Sequence, residues 1–359
     1  MTGPVTALAV YNGNLYVGGL FGFAGAISAN NVAEWNGTAW AAVGHLNNEP
    51  STFTLYNGNL IAGGFFNYDF STSQHLYYIA QWNGSSWSAI GGNILNSSVT
   101  ALTVWNNNLV VCGAFTSPAT YIAQWDGSSW SGVGYLNKAI NALTVFNGTL
   151  IAGGPFTQDN LGHTIDYLAQ WDGSTWSSIG GGTNGQVYSL GIYDTRLIIG
   201  GNFSTAGSNN LPYLATWNGN NWIDFGAQMN GTVYALDTYQ GSLFAGGSFT
   251  STGGNSTPYI AQYHTHPLAV NNLIKNSDAS SIYPNPCNGI FTIQIKNYEL
   301  GVKNTIELYN LMGEKVYISN ITSAHTQIDL SNVAKGIYSY RIINNTTGEA
   351  ITSGKVITQ

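Results

Sequence analysis

The sequence has 359 residues, only 7% of them charged, and a formal net charge of −7 at pH 7. Lys138 and Arg196 are the only basic residues before position 270, against ten acidic ones, so no basic stripe is available to neutralise nucleic-acid phosphates. No apolar run approaches the roughly 18 residues that a membrane-spanning helix needs, and two cysteines provide no disulfide framework. The composition therefore argues against nucleic acid as a partner and against a membrane span.

Six repeats fill residues 5–263. Each has an apolar run, a glycine pair, a variable stretch and two aromatic residues that flank Asn-Gly or Asp-Gly; the first begins VTALAVYNGNLYVGG. The glycine pairs are Gly18-Gly19, Gly63-Gly64, Gly153-Gly154, Gly200-Gly201 and Gly246-Gly247, with Cys112-Gly113 in the third repeat, and the aromatic pairs are Trp35/Trp40, Trp82/Trp87, Trp125/Trp130, Trp171/Trp176 and Trp217/Trp222. In the sixth repeat Tyr263 replaces the first Trp, and the pattern lacks the second. A spacing of roughly 40 to 50 residues is typical of propeller blades.

Within a repeat, four runs with strand periodicity predict a four-stranded antiparallel sheet; in the first they cover residues 5–11, 15–21, 31–35 and 39–44. Asn12-Gly13 and Asn36-Gly37 are predicted to form two-residue hairpins, since such turns need positive φ. The longer link between the second and third strands then lies on the opposite face, where function concentrates.

The predicted fold class is all-β: a six-bladed β-propeller with an incomplete last blade at residues 1–263, followed by a small Ig-like β-sandwich. The repeated Trp residues are interpreted as packing between blades, and the glycine pairs as places where backbones approach closely. The landmarks resemble kelch repeats and the galactose-oxidase-like propellers, although kelch aromatic pairs stand one residue further apart. Propellers of this kind include enzymes, binders and scaffolds.

The start of the chain aligns with an internal position of the repeat, since Met1-Thr2-Gly3-Pro4-Val5 matches Met229-Asn230-Gly231-Thr232-Val233. We therefore expect that the natural protein carries an upstream strand with a Trp, which completes the last blade, and a signal peptide before it. This chain, by that hypothesis, is truncated at its N-terminus.

Basic residues become common after the repeats, because seven of the nine Lys and Arg lie from Lys275 onward. Residues 264–280 are predicted to be a linker, and residues 281–359 a second domain. The segment SIYPNPCNGIFTIQI and the motifs after it resemble the C-terminal sorting domain of the type IX secretion system of Bacteroidetes. The matching residues include Tyr283, Pro284, Asn285, Pro286, Gly289, Gly313, Gly336, Tyr338 and Lys355. The resemblance implies the outer-membrane secretion machinery as a partner, and a secreted or cell-surface location.

The repeats offer no catalytic constellation, and neither a metal nor a cofactor is predicted. Arg196 alone cannot supply the arginine cluster of a sialidase, and Cys112 is interpreted as a small buried residue. His264-Thr265-His266 has metal-like spacing, but two ligands in a linker make a weak site. The Asn/Asp interchange in WNGTAW and WDGSSW indicates a turn.

The candidate ligand-binding residues lie on the variable links. They are His45, Glu49, Tyr68, Asp69, His75, Asp159, His163 and Asp166. Together they could form a polar depression with aromatic walls for a neutral glycan, or they could be ordinary solvated loops. Three functions stay open: a binding or adhesion module for a glycan or a surface protein, a glycan-acting hydrolase, and a structural spacer.

Overall fold

The structure is a computed structural model that describes residues 1–92, 94–226, 228–264, 280–296, 304–310, 315–344 and 350–359. The chain divides into two compact units, Met1–Tyr263 and His264–Gln359. The described residues form strands and loops and contain no helix, which confirms the all-β prediction. Within these ranges there is accordingly no helix of the length and hydropathy that a membrane span needs. The predicted linker lies outside the described residues, except for positions 264 and 280.

The first unit contains six antiparallel sheets, one for each repeat. Sheet 1 has β1 (Val5–Tyr11), β2 (Asn14–Gly19), a side hairpin of β3 (Phe23–Ala24) and β4 (Ile27–Ser28), β5 (Val32–Trp35) and β6 (Trp40–Ala42). Sheet 2 has β7 (Pro50–Tyr56), β8 (Asn59–Gly64), a side hairpin of β9 (Tyr68–Asp69) and β10 (Gln74–His75), β11 (Ile79–Trp82) and β12 (Trp87–Ala89). The four strands predicted for the first repeat are confirmed to within a few residues.

Sheets 3 to 5 repeat this order. Sheet 3 has β13 (Val99–Trp105), β14 (Asn108–Gly113), β15 (Ile122–Trp125) and β16 (Trp130–Gly132). Sheet 4 has β17 (Ala142–Phe146), β18 (Thr149–Gly153), β19 (Leu168–Trp171) and β20 (Trp176–Ser178). Sheet 5 has β21 (Val187–Tyr193), β22 (Arg196–Gly201), a side hairpin of β23 (Thr205–Ala206) and β24 (Asn209–Asn210), β25 (Leu214–Trp217) and β26 (Trp222–Ile223).

Sheet 6 has one strand fewer. It consists of β27 (Val233–Tyr239), β28 (Ser242–Gly247), a side hairpin of β29 (Ser251–Thr252) and β30 (Asn255–Ser256), and β31 (Ile260–His264). The first strands of neighbouring sheets lie side by side in chain order, from β1 to β27. The six sheets therefore form one continuous row.

The first hairpin of each repeat has the predicted geometry. Tyr11 pairs with Asn14, and the two residues between them, Asn12 and Gly13, have φ of 49° and 80°. Positive φ at both positions gives a turn whose twist matches that of the strands, and Asn and Gly tolerate it best. The local sequence is sufficient to determine this turn.

The prediction of a two-residue hairpin at Asn36-Gly37 is wrong. Trp35 pairs with Trp40, so four residues form the loop. The side-chain oxygen of Asn36 accepts the backbone N–H groups of Thr38 and the next residue, both at 2.9 Å, and this capping closes the wider turn.

In sheets 3 and 4 an aspartate stands at the position of Asn36. Asp126 and Asp172 each accept two backbone N–H groups at 2.7 Å, and these bonds lower the pKa of both carboxyl groups. Their common role is to form the turn, as the Asn/Asp interchange predicts.

The glycine pairs mark close approaches between and within sheets. A Cβ on Gly63 would lie 2.5 Å from the Val99 side chain of the next sheet, and one on Gly64 would lie 2.4 Å from the carbonyl oxygen of Glu49. Cys112 takes the first position of the pair in sheet 3, where it is fully buried against Ile140. Burial raises the pKa of its thiol to about 12, in keeping with the interpretation as a small core residue.

The repeated Trp residues pack between sheets. Trp87 is 1% exposed, lies 5.3 Å from Trp82 between ring centroids, and donates its indole N–H to the carbonyl of Val43 in the preceding link at 2.9 Å. Trp176 and Trp222 make the same kind of hydrogen bond, so a buried ring and a directed hydrogen bond hold sheets 2, 4 and 5 to the preceding link.

The outer faces of the first and last sheets are not covered by any described residue. Val5 and Leu8 are 44% and 61% exposed, whereas Val99 and Leu102, at the same positions of sheet 3, are 0% and 8% exposed. At the other end Ile260 is 64% exposed. The row of sheets is consistent with a propeller-like arrangement, but it is not closed into a ring among these residues.

The second unit consists of two antiparallel sheets around one core. One sheet has β32 (Ser280–Tyr283), β33 (Ile290–Ile295) and β36 (His325–Asp329), and the other has β35 (Lys315–Ile321), β34 (Asn304–Tyr309), β37 (Gly336–Asn344) and β38 (Ala350–Thr358) in that spatial order. Phe291, Ile306, Ile328 and Ile342 are among the fully buried side chains between them.

A charge cluster around the buried Glu307 stabilises the larger of these sheets. Glu307 accepts hydrogen bonds from Lys315 Nζ and Arg341 Nε at 2.6 Å and from the Tyr309 hydroxyl at 2.5 Å. Burial raises the pKa of Glu307, but the three hydrogen bonds outweigh this effect and lower the pKa to about 2.

Candidate functional site

Five aromatic side chains form a continuous cluster on the loops of sheet 2. Ring centroids are 5.1 Å apart for His45 and Phe70, 5.1 Å for Phe70 and Tyr68, and 5.0 Å for Tyr68 and His75. His75 in turn stacks on Tyr77 at 5.7 Å. We call these five residues the aromatic cluster; Phe70 is 56% exposed, so the cluster presents an apolar surface to solvent.

A cleft of about 270 Å³ borders the aromatic cluster, between the loops of sheets 1 and 2. The nine lining residues are Leu20, Phe21, Gly22, Asn30, Asn31, His45, Leu46, Asn47 and Phe70, none of them Asp, Glu, Lys or Arg. Asn31 donates from its side chain to the carbonyl of Leu46 at 2.9 Å, which connects the two walls. The cleft combines apolar walls with uncharged amides.

Asp69, one of the predicted ligand-binding residues, points into the protein. It is 0% exposed, and its carboxylate accepts hydrogen bonds from the backbone N–H of His45 and from the side chains of Ser71 and Thr72, at 2.7–3.0 Å. The carboxylate holds its own loop, so it is not available to a ligand.

Asp159 has the same role in sheet 4. It is 6% exposed and accepts the backbone N–H groups of Leu161 and His163, while His163 Nδ1 lies 2.8 Å from its Oδ2. Burial raises the pKa of Asp159, and the hydrogen bonds lower it by more. Both loops have an isolated bridge at the aspartate, Leu46 with Asp69 and Leu136 with Asp159.

The eight predicted residues lie on the links beside two different sheets, 2 and 4. His45, Tyr68, Asp69 and His75 lie together beside sheet 2, whereas Asp159, His163 and Asp166 lie on the loops of sheet 4, with sheet 3 between them. Glu49 and Asp166 are half-buried, and their backbone carbonyls accept N–H groups of Phe65 and Thr183 at 2.9 Å. The candidates thus fall into an aromatic group on the links beside sheet 2 and an acidic group on the loops of sheet 4.

Sequence reasoning missed Phe70, Tyr77 and the amides of the cleft. It also missed an asparagine that precedes the first strand of a sheet and clamps a later loop. The side-chain oxygen of Asn137, for example, accepts the backbone N–H groups of Thr157 at 2.9 Å and Gln158 at 3.3 Å, about 20 residues later in the chain. The same clamp occurs at Asn47, Asn96, Asn184 and Asn230. The recurrence of an asparagine at this position in successive repeats was the sequence signal that could have indicated the clamp.

The remaining metal candidate is not described by the structure, because Thr265, His266 and the side chain of His264 lie outside the described residues. Among the residues that are described, no three His, Cys, Asp or Glu side chains come together as metal ligands do.

Part of the predicted sorting signal is exposed at the surface of the second unit. Residues 283–286 are all exposed, as is Lys355. The Asn285 side chain donates to the carbonyl of Lys355 at 2.8 Å and accepts the N–H of Ile357 at 2.9 Å, so this segment is fixed on the last strand. Tyr283 donates or accepts a hydrogen bond at 3.1 Å with His325 Nδ1.

Other residues of that signal have packing roles. Gly289 has φ of 86°, and a Cβ there would lie 3.2 Å from the Ser331 backbone. Tyr338 is 5% exposed and donates its hydroxyl to the carbonyl of Ala334. Gly336 donates its N–H to the Thr358 hydroxyl at 2.9 Å. Gly313 lies outside the described residues.

Residues 281–359 match the family model of the secretion system C-terminal sorting domain. This match confirms the sorting-domain prediction, and such a domain implies interaction with the type IX secretion machinery and a secreted or cell-surface location. No curated protein matches the chain.

Three solved structures are similar to the chain at low identity. One is the extracellular domain of a hybrid two-component system from B. thetaiotaomicron, with 13% identity and a TM-score of 0.41; the match covers 99% of this chain and 56% of that one. Another is the extracellular domain of a one-component system from the same organism, with 13% identity and a TM-score of 0.40; the match covers 99% of this chain and 57% of that one. The third is dimeric latent PorU from Porphyromonas gingivalis, with 12% identity and a TM-score of 0.20; the match covers 85% of this chain and 32% of that one. This chain spans little more than half the length of the first two.

Proposed function

We propose that the first unit is a non-catalytic binding module that recognises a neutral glycan at the cleft beside sheet 2. In this proposal the six sheets are blades of a propeller related to kelch and galactose-oxidase-like repeats, which residues 281–359 direct to the outside of the cell. Outside the cell, the first unit then attaches the cell to a glycan or captures the glycan.

The aromatic cluster carries this proposal. Sugar rings present C–H faces that stack on aromatic side chains, and Phe70 and Tyr68 offer such faces next to the cleft. The amides of Asn30, Asn31 and Asn47 supply donors and acceptors for hydroxyl groups without a charge. An uncharged lining fits a neutral ligand better than an ionic one, because a charged ligand would lose hydration without gaining an ion pair.

The hydrolase alternative is less well supported by the contacts. Asp69 and Asp159 are buried, and their carboxylates accept hydrogen bonds from their own loops. Glu49 and Asp166 belong to the loops of different sheets, whereas glycoside hydrolysis needs two carboxylates within about 5–10 Å of each other on one substrate.

A glycan array probed with the full chain tests the proposal, followed by calorimetry on the best ligand and analysis of products. We expect binding without turnover, and a loss of affinity of about tenfold or more for Phe70→Ala and for Tyr68→Ala. Tyr239→Ala, which removes an aromatic ring that is 64% exposed on sheet 6, is the matched control. Absence of any glycan ligand, or equal affinity for all variants, would contradict the proposal.

A further inference from the structure

One loop position distinguishes sheet 1 from the other five sheets. The residue before the third strand is Asn31 in sheet 1 and a tyrosine in every other sheet. These tyrosines are Tyr78, Tyr121, Tyr167, Tyr213 and Tyr259. All six residues have positive φ, between 64° and 77°. In all six the backbone carbonyl accepts, at 2.9–3.0 Å, the N–H of a glycine at or just after the end of the second strand, so the positions are equivalent in structure.

The tyrosine rings fill space between neighbouring sheets. Tyr78 packs on the core that sheets 2 and 3 share, which includes Leu95 of the link between them. Tyr167 and Tyr213 pack in the same way on the cores shared by sheets 4 and 5 and by sheets 5 and 6. Because positive φ is unfavourable for a bulky residue, the packing of the ring has to outweigh the strain of its backbone.

Sheet 1 has no ring at this position. The core between sheets 1 and 2 contains Leu46, which has the repeat position of Leu95. Asn31 and Leu46 both line the cleft of about 270 Å³. The shorter Asn31 side chain donates to the Leu46 carbonyl at 2.9 Å, and its Oδ1 accepts no hydrogen bond from a described residue.

We propose that Asn31 makes this cleft a ligand site, in which one pyranose ring takes the space that a tyrosine ring fills between other sheets. The ligand class comes from the proposed function, on which this assignment depends. A pyranose is a six-membered ring like the phenol that it replaces, and its C–H face stacks on Phe70 at the edge of the cleft. The Oδ1 of Asn31 accepts one of its hydroxyl groups.

The size and polarity of the cleft favour a single sugar residue. Its volume is just below the roughly 300–1,000 Å³ of sites for drug-sized molecules, so the residue at the end of a glycan enters and an internal stretch does not. A tyrosine of a protein partner would have a similar shape but only one hydroxyl. A pyranose has several, and it can therefore satisfy the amides of both Asn30 and Asn31.

The substitution Asn31→Tyr tests the proposal, because it fills the cleft with the residue that the other five sheets already carry at this position. Asn31→Gly is its complement: it removes the amide, leaves the cleft open and tolerates positive φ. Asn14→Tyr is the matched control. It adds the same ring to sheet 1 at a position that does not line the cleft and that holds Thr, Arg or Ser in other sheets. Urea unfolding verifies that each variant is folded.

Calorimetry with the best glycan from the array gives the affinity of each variant. We expect a loss of about tenfold or more for Asn31→Tyr, a loss of about fivefold for Asn31→Gly through one hydrogen bond, and no change for Asn14→Tyr. The free monosaccharide that corresponds to the end of the glycan should compete for the site, and N-acetyltyrosinamide should not.

Three outcomes would overturn this assignment and leave the proposed function intact, provided that Phe70→Ala still weakens binding. They are full affinity in Asn31→Tyr, no competition by the monosaccharide, and competition by N-acetyltyrosinamide. A chain that binds no glycan would overturn both. If Asn31→Tyr does not fold, Asn31→Gly and the two competitors decide the question.

Discussion

The open row of sheets makes a quantitative prediction about two equivalent leucines. Leu102 on sheet 3 is 8% exposed and packs in the core shared with sheet 2, which includes Tyr56 and Ile61. Leu8 has the same position on sheet 1 and is 61% exposed, because no described residue covers that face. Replacing each leucine by alanine therefore compares one side chain in two surroundings.

Leu102→Ala should lower the free energy of unfolding of the first unit by about 3 kcal/mol, since it removes buried methyl groups and leaves a cavity. Leu8→Ala should cost less than about 1 kcal/mol, because most of that side chain already contacts water. Urea unfolding monitored by Trp fluorescence reports on this unit alone, since all eleven Trp residues lie before position 264.

Equal losses of unfolding free energy in the two variants would refute the conclusion that the row of sheets is open. They would mean that the outer face of sheet 1 is covered in solution, by sheet 6 or by another molecule. Repeating the measurement at several protein concentrations separates these two cases, because only association between molecules depends on concentration.

Three further predictions concern single groups. The lowered pKa of Glu307 means that its ion pairs stabilise the second unit above pH 4.5; this stability, about 2–3 kcal/mol, should be lost as the pH falls towards 2. Acid unfolding followed by CD checks this, and an equal acid midpoint in Glu307→Gln would contradict it. Asn137→Ala should lower the free energy of unfolding of the first unit by about 1–2 kcal/mol, because the N–H groups of two residues lose their acceptor; Asn137→Asp, which keeps the acceptor, is the control in urea unfolding. Cys112 and Cys287 are both buried and free, so a thiol reagent should modify neither in the native protein and both in denaturant; rapid native labelling would show that the cores open.

The sequence alone determined the local parts of this protein. Asn12 and Gly13 both take positive φ, which these two residue types tolerate best, so the first hairpin follows from the local sequence. The glycine pairs and the Trp pairs predicted close packing, and the motifs from Tyr283 to Lys355 identified the sorting domain, because these signals depend on near neighbours in the chain.

Tertiary structure decided which loop side chains face solvent. Asp69 and Phe70 are adjacent in sequence, yet Asp69 is 0% exposed and Phe70 is 56% exposed. The carboxylate turns inward to accept the N–H of His45 on a different link and the hydroxyl of Ser71 in its own loop. The cleft depends on residues from the loops of two sheets. Such features arise from contacts between distant segments, which the repeat pattern of a single chain does not specify.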